Sequence, residues 1–598
     1  MATVRLQEVK FPDIPVDVAE HRRAHTTAAS RQLAQAGCNL VFLSMNWGFP
    51  PEEEQPFWGQ FRDAARVYHE QGFRVIGYVQ ASNCVARGSF AARDWYAVTP
   101  QGRKIPYYQN RLMTCWNHRD WTAQVTSRAE HVIEAGGDGV FFDNVWMGAT
   151  PWLLAGRPGG FAGCACARCA EDFARSSGHA LVTTLREDAA SRAWLDWRAG
   201  IVRARLTEWA AAVRALRTDA WVLANNSDIM LRDTASMFGL DPVALAPLQD
   251  ALLVENIAMP RFDRRRRCLA ANALTVKALR ATLPDRPVLT VTYERGIGLD
   301  GPPPAARLAR ALAESAALGA APVLKGSEYV DPQRRFTVLT SPALAPVLDS
   351  VAPLLTWMDR NRDLFADVTP DPDAWVLYDV RALGADFDDA ARATYAVATA
   401  LLAEGVAFGF ITPDRLDLAC DRTVLIPPGV EPLSAPGVRA VRVEPGRIHP
   451  LDRGPTMMRA RGLRSVLDPP LRWLSHAYFT SMRLRRAFDA AGITARFLQS
   501  AYFRIPAEPA RVRELIAPTR AMLRAAGPVL VERWSRSDGA CLIHLLNYSE
   551  QPVQIALPGV WGRPSLHSPD PDTRLNTDRG LHLETYAVLE LDSNRSSD

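Results

Sequence analysis

Short apolar runs alternate with stretches of helical spacing from the N-terminus to about Asp349. The runs Val4–Val9, Asn39–Met45, Phe73–Val79, Gly139–Phe142, Trp221–Ala224, Ala251–Val254, Val288–Thr292 and Pro322–Leu324 have the pattern of strands covered on both faces of a parallel sheet. Between them, Ala28–Ala36, Phe57–Gln71, Trp121–Ala135, Trp194–Leu216, Leu269–Thr282 and Ala305–Leu318 place apolar residues three and four apart, which predicts amphipathic helices. Eight such strands predict an α/β fold, a (β/α)8 TIM barrel spanning residues 1–350. The other arrangement is an open doubly wound sheet, but no Gly-rich phosphate loop follows the first strand.

The chain has 598 residues, more than one hydrophobic core usually serves, so further domains are expected. Beyond Pro353 the periodicity restarts, with strands at Ala374–Tyr378, Ala407–Ile411 and Thr423–Ile426 and a helix around Ala391–Glu404. This predicts a smaller α/β domain over residues 351–527. Its Arg- and Pro-rich middle, Gly446–Pro469, suits a loop or a contact between subunits. Pro528–Trp534, Ala540–Asn547, Val553–Leu557 and Leu581–Leu591 then predict strands of a small β-sandwich over residues 528–598.

Composition narrows the classes. With 48% hydrophobic residues, 22% charged residues and a net charge of only +4, nothing favours nucleic acid as a partner. Lysine is confined to Lys10, Lys104, Lys277 and Lys325, and the one dense basic run, Arg264–Arg267, suits a solvated helix start or an anion contact. Met1–Arg5 is no basic lead-in to an apolar core, and no apolar stretch reaches membrane-spanning length. Nine mostly scattered cysteines do not form a disulfide framework. The expectation is a cytoplasmic protein without a membrane partner.

In a barrel, residues just past each strand's C-terminal end face one mouth. Here these are Asn46, Trp47, Gln80, Asn83, Asp143, Asn144, Trp146, Asn225, Asn226, Glu255, Asn256, Tyr293, Glu294, Lys325 and Glu328. Amides and acids can bond a polyhydroxylated ligand, while Trp47 and Trp146 offer flat faces to sugar rings. Glycoside hydrolysis needs two carboxyl groups. Asp143 is the first candidate, being the acid at the tip of the most apolar strand, or else it is a structural aspartate. Glu255 and Glu294 compete for the second role, with Glu328 behind them. Lys325, ending the eighth strand, offers a contact to substrate or, as a lyase, a Schiff base.

Cys164, Cys166 and Cys169 have metal-ligand spacing, C-x-C-x-x-C, and need a fourth donor for a closed tetrahedral site. Cys115 is best placed and Cys84 second. Cys38, Cys268, Cys420 and Cys541 are expected as small core residues.

With Cys115 before the fourth strand, C-x-C-x-x-C after it, and an α/β and a β domain following, the plan resembles the glycoside hydrolase family 42 β-galactosidases. Those enzymes are retaining, with a glutamate after strand four as acid/base and one after strand seven as nucleophile, and many hold zinc with this cysteine set. The resemblance implies a structural zinc on Cys115, Cys164, Cys166 and Cys169 and a homo-oligomer joined through the second domain. This chain departs from the pattern by ending its fourth strand Asp143-Asn144 where the family has Asn-Glu. The stretch from Cys115-Trp116-Asn117-His118 through Gly139-Val140-Phe141-Phe142-Asp143-Asn144 to Phe173 is also similar to barrel glycosidases related to α-fucosidases and α-galactosidases. That similarity implies Asp143 as nucleophile and Glu255 as proton donor. The expected function is therefore hydrolysis of a carbohydrate substrate. The alternatives are an Asp143/Glu294 pair, a non-catalytic carbohydrate-binding protein and a Lys325 lyase.

Overall fold

The computed structural model describes residues 2–6, 17–107, 111–147, 163–183, 188–226, 238–256, 259–264, 268–293, 301–327, 329–331, 335–379, 396–427, 436–443, 502–504, 523–525, 528–561, 564–576 and 580–591, with single residues or pairs at 234, 333, 393–394, 430, 487 and 515–516. Eight parallel strands close into a barrel: β1 (Ala2–Leu6), β2 (Cys38–Asn46), β3 (Arg74–Gln80), β4 (Gly139–Asp143), β5 (Trp221–Asn226), β6 (Ala251–Asn256), β7 (Val288–Thr292) and β8 (Ala321–Lys325). All eight fall on the predicted runs. Pairing of β1 with β8, Val4 opposite Leu324, completes the ring.

Strand residues alternate in direction, and both sets are apolar here. Leu40, Phe42, Ile76, Tyr78, Phe141, Leu223, Ala251, Leu253, Leu289, Val291 and Val323 pack together inside the barrel. Their neighbours Val41, Leu43, Val75, Val79, Val140, Phe142, Val222, Ala224, Leu252 and Val254 join the larger core shared with the helices. Helices Pro51–His69, Arg119–Glu134, Ala189–Leu216, Ala273–Thr282 and Ala305–Ala317 supply that layer. Their starts are locally encoded. Glu52, Glu53 and Glu54 fill the first turn after Pro51, where carboxylates meet the positive end of the helix dipole. Asp188 caps the long helix by accepting from the Ser191 N–H at 2.7 Å. Helix Arg119–Glu134 lies so close to β3 that a Cβ on Gly77 would stand 2.3 Å from Val132 Cγ1.

After the barrel, Phe408–Ile411, Ala374–Leu377, Thr423–Ile426 and Arg439–Arg442 form, in that order, a parallel four-stranded sheet. Gly446–Pro469 lies outside the described residues. The C-terminal part is two antiparallel sheets around a separate core that includes Val529, Ile543, Ile555, Leu581 and Leu589. The expected single strand Leu581–Leu591 is instead two, Gly580–Leu583 and Tyr586–Leu591, one in each sheet. The corner is held by Asp570, whose Oδ2 accepts from the N–H groups of Thr585 and Tyr586, both at 3.2 Å. Cys420, expected in the core, is exposed, because it caps a 3-10 helix at a turn. Among the described residues no helix is long and apolar enough to cross a membrane.

Charged groups bind the parts together. Lys277, buried on helix Ala273–Thr282, donates to the Phe408 carbonyl and pairs with Glu532 of strand Val529–Arg536. Burial pulls the ammonium below its ordinary range and pushes the carboxyl above its own. Nearby, Arg310 donates to the carbonyls of Asn547 and Ser549, both at 2.9 Å, and Tyr548 OH donates to Glu314 at 2.7 Å. Removing one member of a buried pair strands the other charge, at a cost of about 3–5 kcal/mol, whereas replacing both by apolar residues is often neutral. Lys277→Met is therefore expected to lower the urea midpoint sharply and Lys277→Met with Glu532→Leu to recover most of the loss. An equal loss in both variants would contradict this account of the junction.

Candidate active site

The two-residue repeat that fills the barrel also builds its mouth. One step beyond Tyr78, Phe141, Leu223, Leu253, Val291 and Val323, the inward positions are Gln80, Asp143, Asn225, Glu255, Tyr293 and Lys325. Asp143 Oδ2 accepts from Tyr78 OH at 2.6 Å and from Asn144 Nδ2 at 2.8 Å, and its Oδ1 accepts from Asn225 Nδ2 at 2.8 Å. The same amide nitrogen donates to Glu255 Oε2 at 3.1 Å, while Tyr293 OH donates to Glu255 Oε1 at 2.7 Å. One NH2 group thus spans the two acids, and the two oxygens it reaches lie within about 6 Å of each other, close to the carboxyl spacing of roughly 5–5.5 Å in retaining glycosidases.

Asn144 has the wrong parity to face inward, yet it reaches the site because its backbone is left-handed, φ 57°, a conformation asparagine tolerates better than most residues. Its amide also donates to Gln80 Oε1 at 3.1 Å, its carbonyl oxygen accepts from Tyr107 OH at 3.1 Å, and Gln80 Nε2 donates to Tyr78 OH at 3.1 Å. Asn226, of the same outward parity, stays outside this network. Its Nδ2 donates to Gln249 Oε1 at 2.9 Å and to the Ala224 carbonyl at 2.8 Å. Lys325 is buried with its ammonium 5.1 Å from the Tyr293 ring and 5.5 Å from the Tyr329 ring. Trp146 is buried and stacks on Phe238 at 4.7 Å. Glu294 and Glu328, and the Asn256 side chain, lie outside the described residues.

Behind β2, Asn46 donates to the buried Glu54, whose Oε1 also accepts from the N–H groups of Trp47 at 2.7 Å and Phe49 at 3.0 Å. Burial pushes the Glu54 carboxyl up to about 7, against Arg128, whose guanidinium lies 3.7 Å away. Glu54, Tyr78 and Tyr107 were not among the sequence candidates. Counting back two residues from Gln80 would have found Tyr78. Nothing local marks Tyr107, which sits in the excursion between β3 and β4.

That excursion starts with strand Asn83–Val85, paired to Arg111–Met113, and ends at Cys115. There the structure assembles the expected cysteines: the sulfurs of Cys115, Cys164, Cys166 and Cys169 all lie within 4.8 Å of one another. Cys115 Sγ is 3.4 Å from Cys169 and 3.7 Å from Cys166. Hydrogen bonds from Cys115, Cys164 and Cys169 hold Cys166 below the ordinary thiol range. Cys84, the second candidate, is buried elsewhere, and burial pushes its thiol up to about 12. Four converging soft donors fit a closed tetrahedral metal site with no position left for water.

No family model matches the chain, and no curated protein matches its sequence. Solved structures do match its fold. A β-galactosidase from Bacillus circulans sp. alkalophilus is 10% identical, with a TM-score of 0.60 over 96% of this chain and 97% of that one. The α-L-fucosidase isoenzyme 2 from Paenibacillus thiaminolyticus is 12% identical, with a TM-score of 0.58 over 99% of both chains. A GH42 β-galactosidase from G. stearothermophilus is 11% identical, with a TM-score of 0.57 over 94% of this chain and 95% of that one. The fold is similar to that of these β-galactosidases and of the α-L-fucosidase. Likeness at this level concerns the fold and leaves the site to be read from its own residues.

The cysteine geometry predicts that protein purified without chelator carries about one thiophilic metal ion per chain. Cys169→Ser should lower that stoichiometry and the thermal midpoint together. A metal-free protein as stable as the metal-containing one would remove the site.

Proposed function

We propose that the chain is a retaining glycoside hydrolase acting on a glycoside or oligosaccharide, with Asp143 as nucleophile and Glu255 as acid/base. The observation that carries this reading is the single Asn225 amide bonded to both acids. It keeps the nearer oxygens of the pair within about 6 Å, which supports the shorter, retaining separation. Three hydrogen bonds, from Tyr78, Asn144 and Asn225, favour the ionised form of Asp143, which is the form that attacks. Glu255 is less buried than Asp143 and suits proton exchange with groups entering the mouth.

In the first step Asp143 attacks the anomeric carbon as Glu255 passes its proton to the departing oxygen. In the second, Glu255 takes a proton from water, whose oxygen displaces Asp143 and frees the sugar. Asn225 keeps the carboxyls in register throughout, and Tyr293 orients Glu255. The Asp143/Glu294 arrangement is the competing assignment. Lys325, with its ammonium near the Tyr293 and Tyr329 rings, is assigned a substrate contact, as are Gln80, Asn144, Trp47 and Trp146. We further propose that the metal is zinc in a structural role, that the chain works in the cytoplasm, and that the α/β part over residues 351–527 joins copies of the chain rather than contributing chemistry.

A screen of aryl glycosides of several sugars in both anomeric forms tests the class, since turnover of one identifies the sugar. Asp143→Asn should abolish that turnover by more than about a thousandfold in a folded protein. Glu255→Ala should spare activated aryl leaving groups, slow poor ones and respond to azide. That pattern appearing in Glu294→Ala instead would transfer the acid/base role. Light scattering over a concentration series should give a mass above the monomer, and a constant monomer mass would end the proposed association.

A further inference from the structure

In the ring of strands, β1 and β2 lie across the barrel from β5, on the far side of the mouth from Asn225. The segments after these two strands bring His21, on helix Val18–Arg23, against Trp47, which directly follows β2. Their ring centroids are 5.8 Å apart and the planes meet edge-on at 73°. Both residues are buried, at 4% and 6% exposure. Among the described residues His21 Nε2 and Trp47 Nε1 have no hydrogen-bond partner. Buried polar atoms are usually paired. Among the same residues the indoles of Trp58, Trp95, Trp116, Trp146 and Trp209 are unpaired too. What sets His21 and Trp47 apart is that their rings adjoin in the segments that follow β1 and β2, and that adjacency points to a shared ligand group.

The indole is firmly placed. Its ring packs in the barrel-interior cluster with Phe42, Tyr293 and Val323. Its backbone is clamped on both sides: Glu54 accepts from the Trp47 N–H, and Arg111 donates to the Trp47 carbonyl and, at 3.1 Å, to Asn83 Oδ1. On the other side, burial, with His25 and Arg22 nearby, pulls His21 down to about 3. The imidazole is therefore neutral near pH 7, with one donor and one acceptor nitrogen. An indole N–H can only donate. A carboxylate or phosphate would satisfy both only in the tautomer that carries the proton on Nε2, and an ammonium could not accept from the indole, whereas a hydroxyl serves either tautomer. A hydroxyl satisfies both, because its oxygen accepts from the indole while its hydrogen goes to the imidazole.

We infer that His21 Nε2 and Trp47 Nε1 jointly bind one ring hydroxyl of the sugar whose anomeric carbon is presented to Asp143. This rests on the glycosidase reading and assigns His21, which lies outside the acid pair, as a specificity-determining residue.

The test is binding, in an Asp143→Asn background that cannot turn substrate over. Calorimetric titration with D-galactose, L-fucose, D-glucose, D-mannose and D-xylose should find at least one that binds. His21→Phe and Trp47→Phe keep the rings but lose the nitrogens, and each should weaken that sugar about tenfold, the scale of one neutral hydrogen bond. Because one hydroxyl serves both, the double variant should be little weaker than either single one. One monodeoxy form of the sugar should lose the same factor on the parent and nothing further on His21→Phe, which needs no assumption about how the variants fold. Unchanged binding in His21→Phe means that the two nitrogens hold only a water, and it overturns the inference. So do additive losses, or no sugar binding at all. Turnover of aryl glycosides by the unmutated chain is scored separately: a His21-dependent sugar without turnover sinks the hydrolase and keeps the subsite, and turnover with His21-independent binding does the reverse.

Discussion

The parity of the barrel strands is the constraint from which the rest of this molecule follows. A parallel strand buried on both faces must be apolar at every position, so hydrophobicity alone does not say which residues point inward. Closure of the ring decides it. Once Phe141 is inside, Asp143 must emerge at the mouth, and the same count delivers Asn225, Glu255, Tyr293 and Lys325 from four other strands. Their meeting is a consequence of register: Gln80 pairs with Asp143, while Asn225 pairs with Leu253 and Glu255 with Val291, so along β5, β6 and β7 each mouth residue stands one inward step beyond the last. A shift of one residue would turn a strand's polar tip toward the helices and replace it with its neighbour, Phe142 for Asp143, Ala224 for Asn225 or Val254 for Glu255.

Delivering carboxylates to a buried mouth creates a desolvation problem, and the neighbouring side chains solve it. Asp143 is 5% exposed, yet its oxygens accept from a phenol and two amides. Neutral donors of this kind stabilise a carboxylate by hydrogen bonding to its ionised form. The network extends outward through Asn144 to Gln80 and Tyr107, so the aspartate is oriented as well as solvated.

How much of this could be read from the chain depends on the range of the signal. The eight strands were legible because burial on two faces writes a dense local code, and Cys115 joined the C-x-C-x-x-C triplet as expected. Proximity to a strand end proved a coarser guide than parity. It swept in Asn226, whose amide bonds the buried Gln249, and it passed over Tyr78, which touches Asp143 directly. Tyr107 and Glu54 act across 37 and 8 residues of sequence, through a loop and a helix start that carry no periodic mark. The break at Glu584-Thr585 was equally silent, since Leu581–Leu591 is apolar enough for one strand and the side chains that divide it, Asp570, Thr573 and Asn547, come from distant parts of the sequence.

The cysteine cluster has a mechanical place in this scheme. The excursion after β3 leaves at Asn83, carries Tyr107 to Asn144, and returns at Cys115. The loop with Cys164 and Cys166 is tied to the same excursion by the Ala165 N–H on the Val98 carbonyl at 2.8 Å, and the Cys115 N–H donates to the Trp95 carbonyl at 2.7 Å. A metal on the four sulfurs would close this excursion against helix Ala167–Ser177, fixing its Cys115 end. Long connections are otherwise costly to hold in one conformation, and Tyr107 can orient Asn144 only if its loop is fixed. The metal would thus act on the chemistry at one remove, by stiffening the segment that completes the hydrogen-bond shell of Asp143.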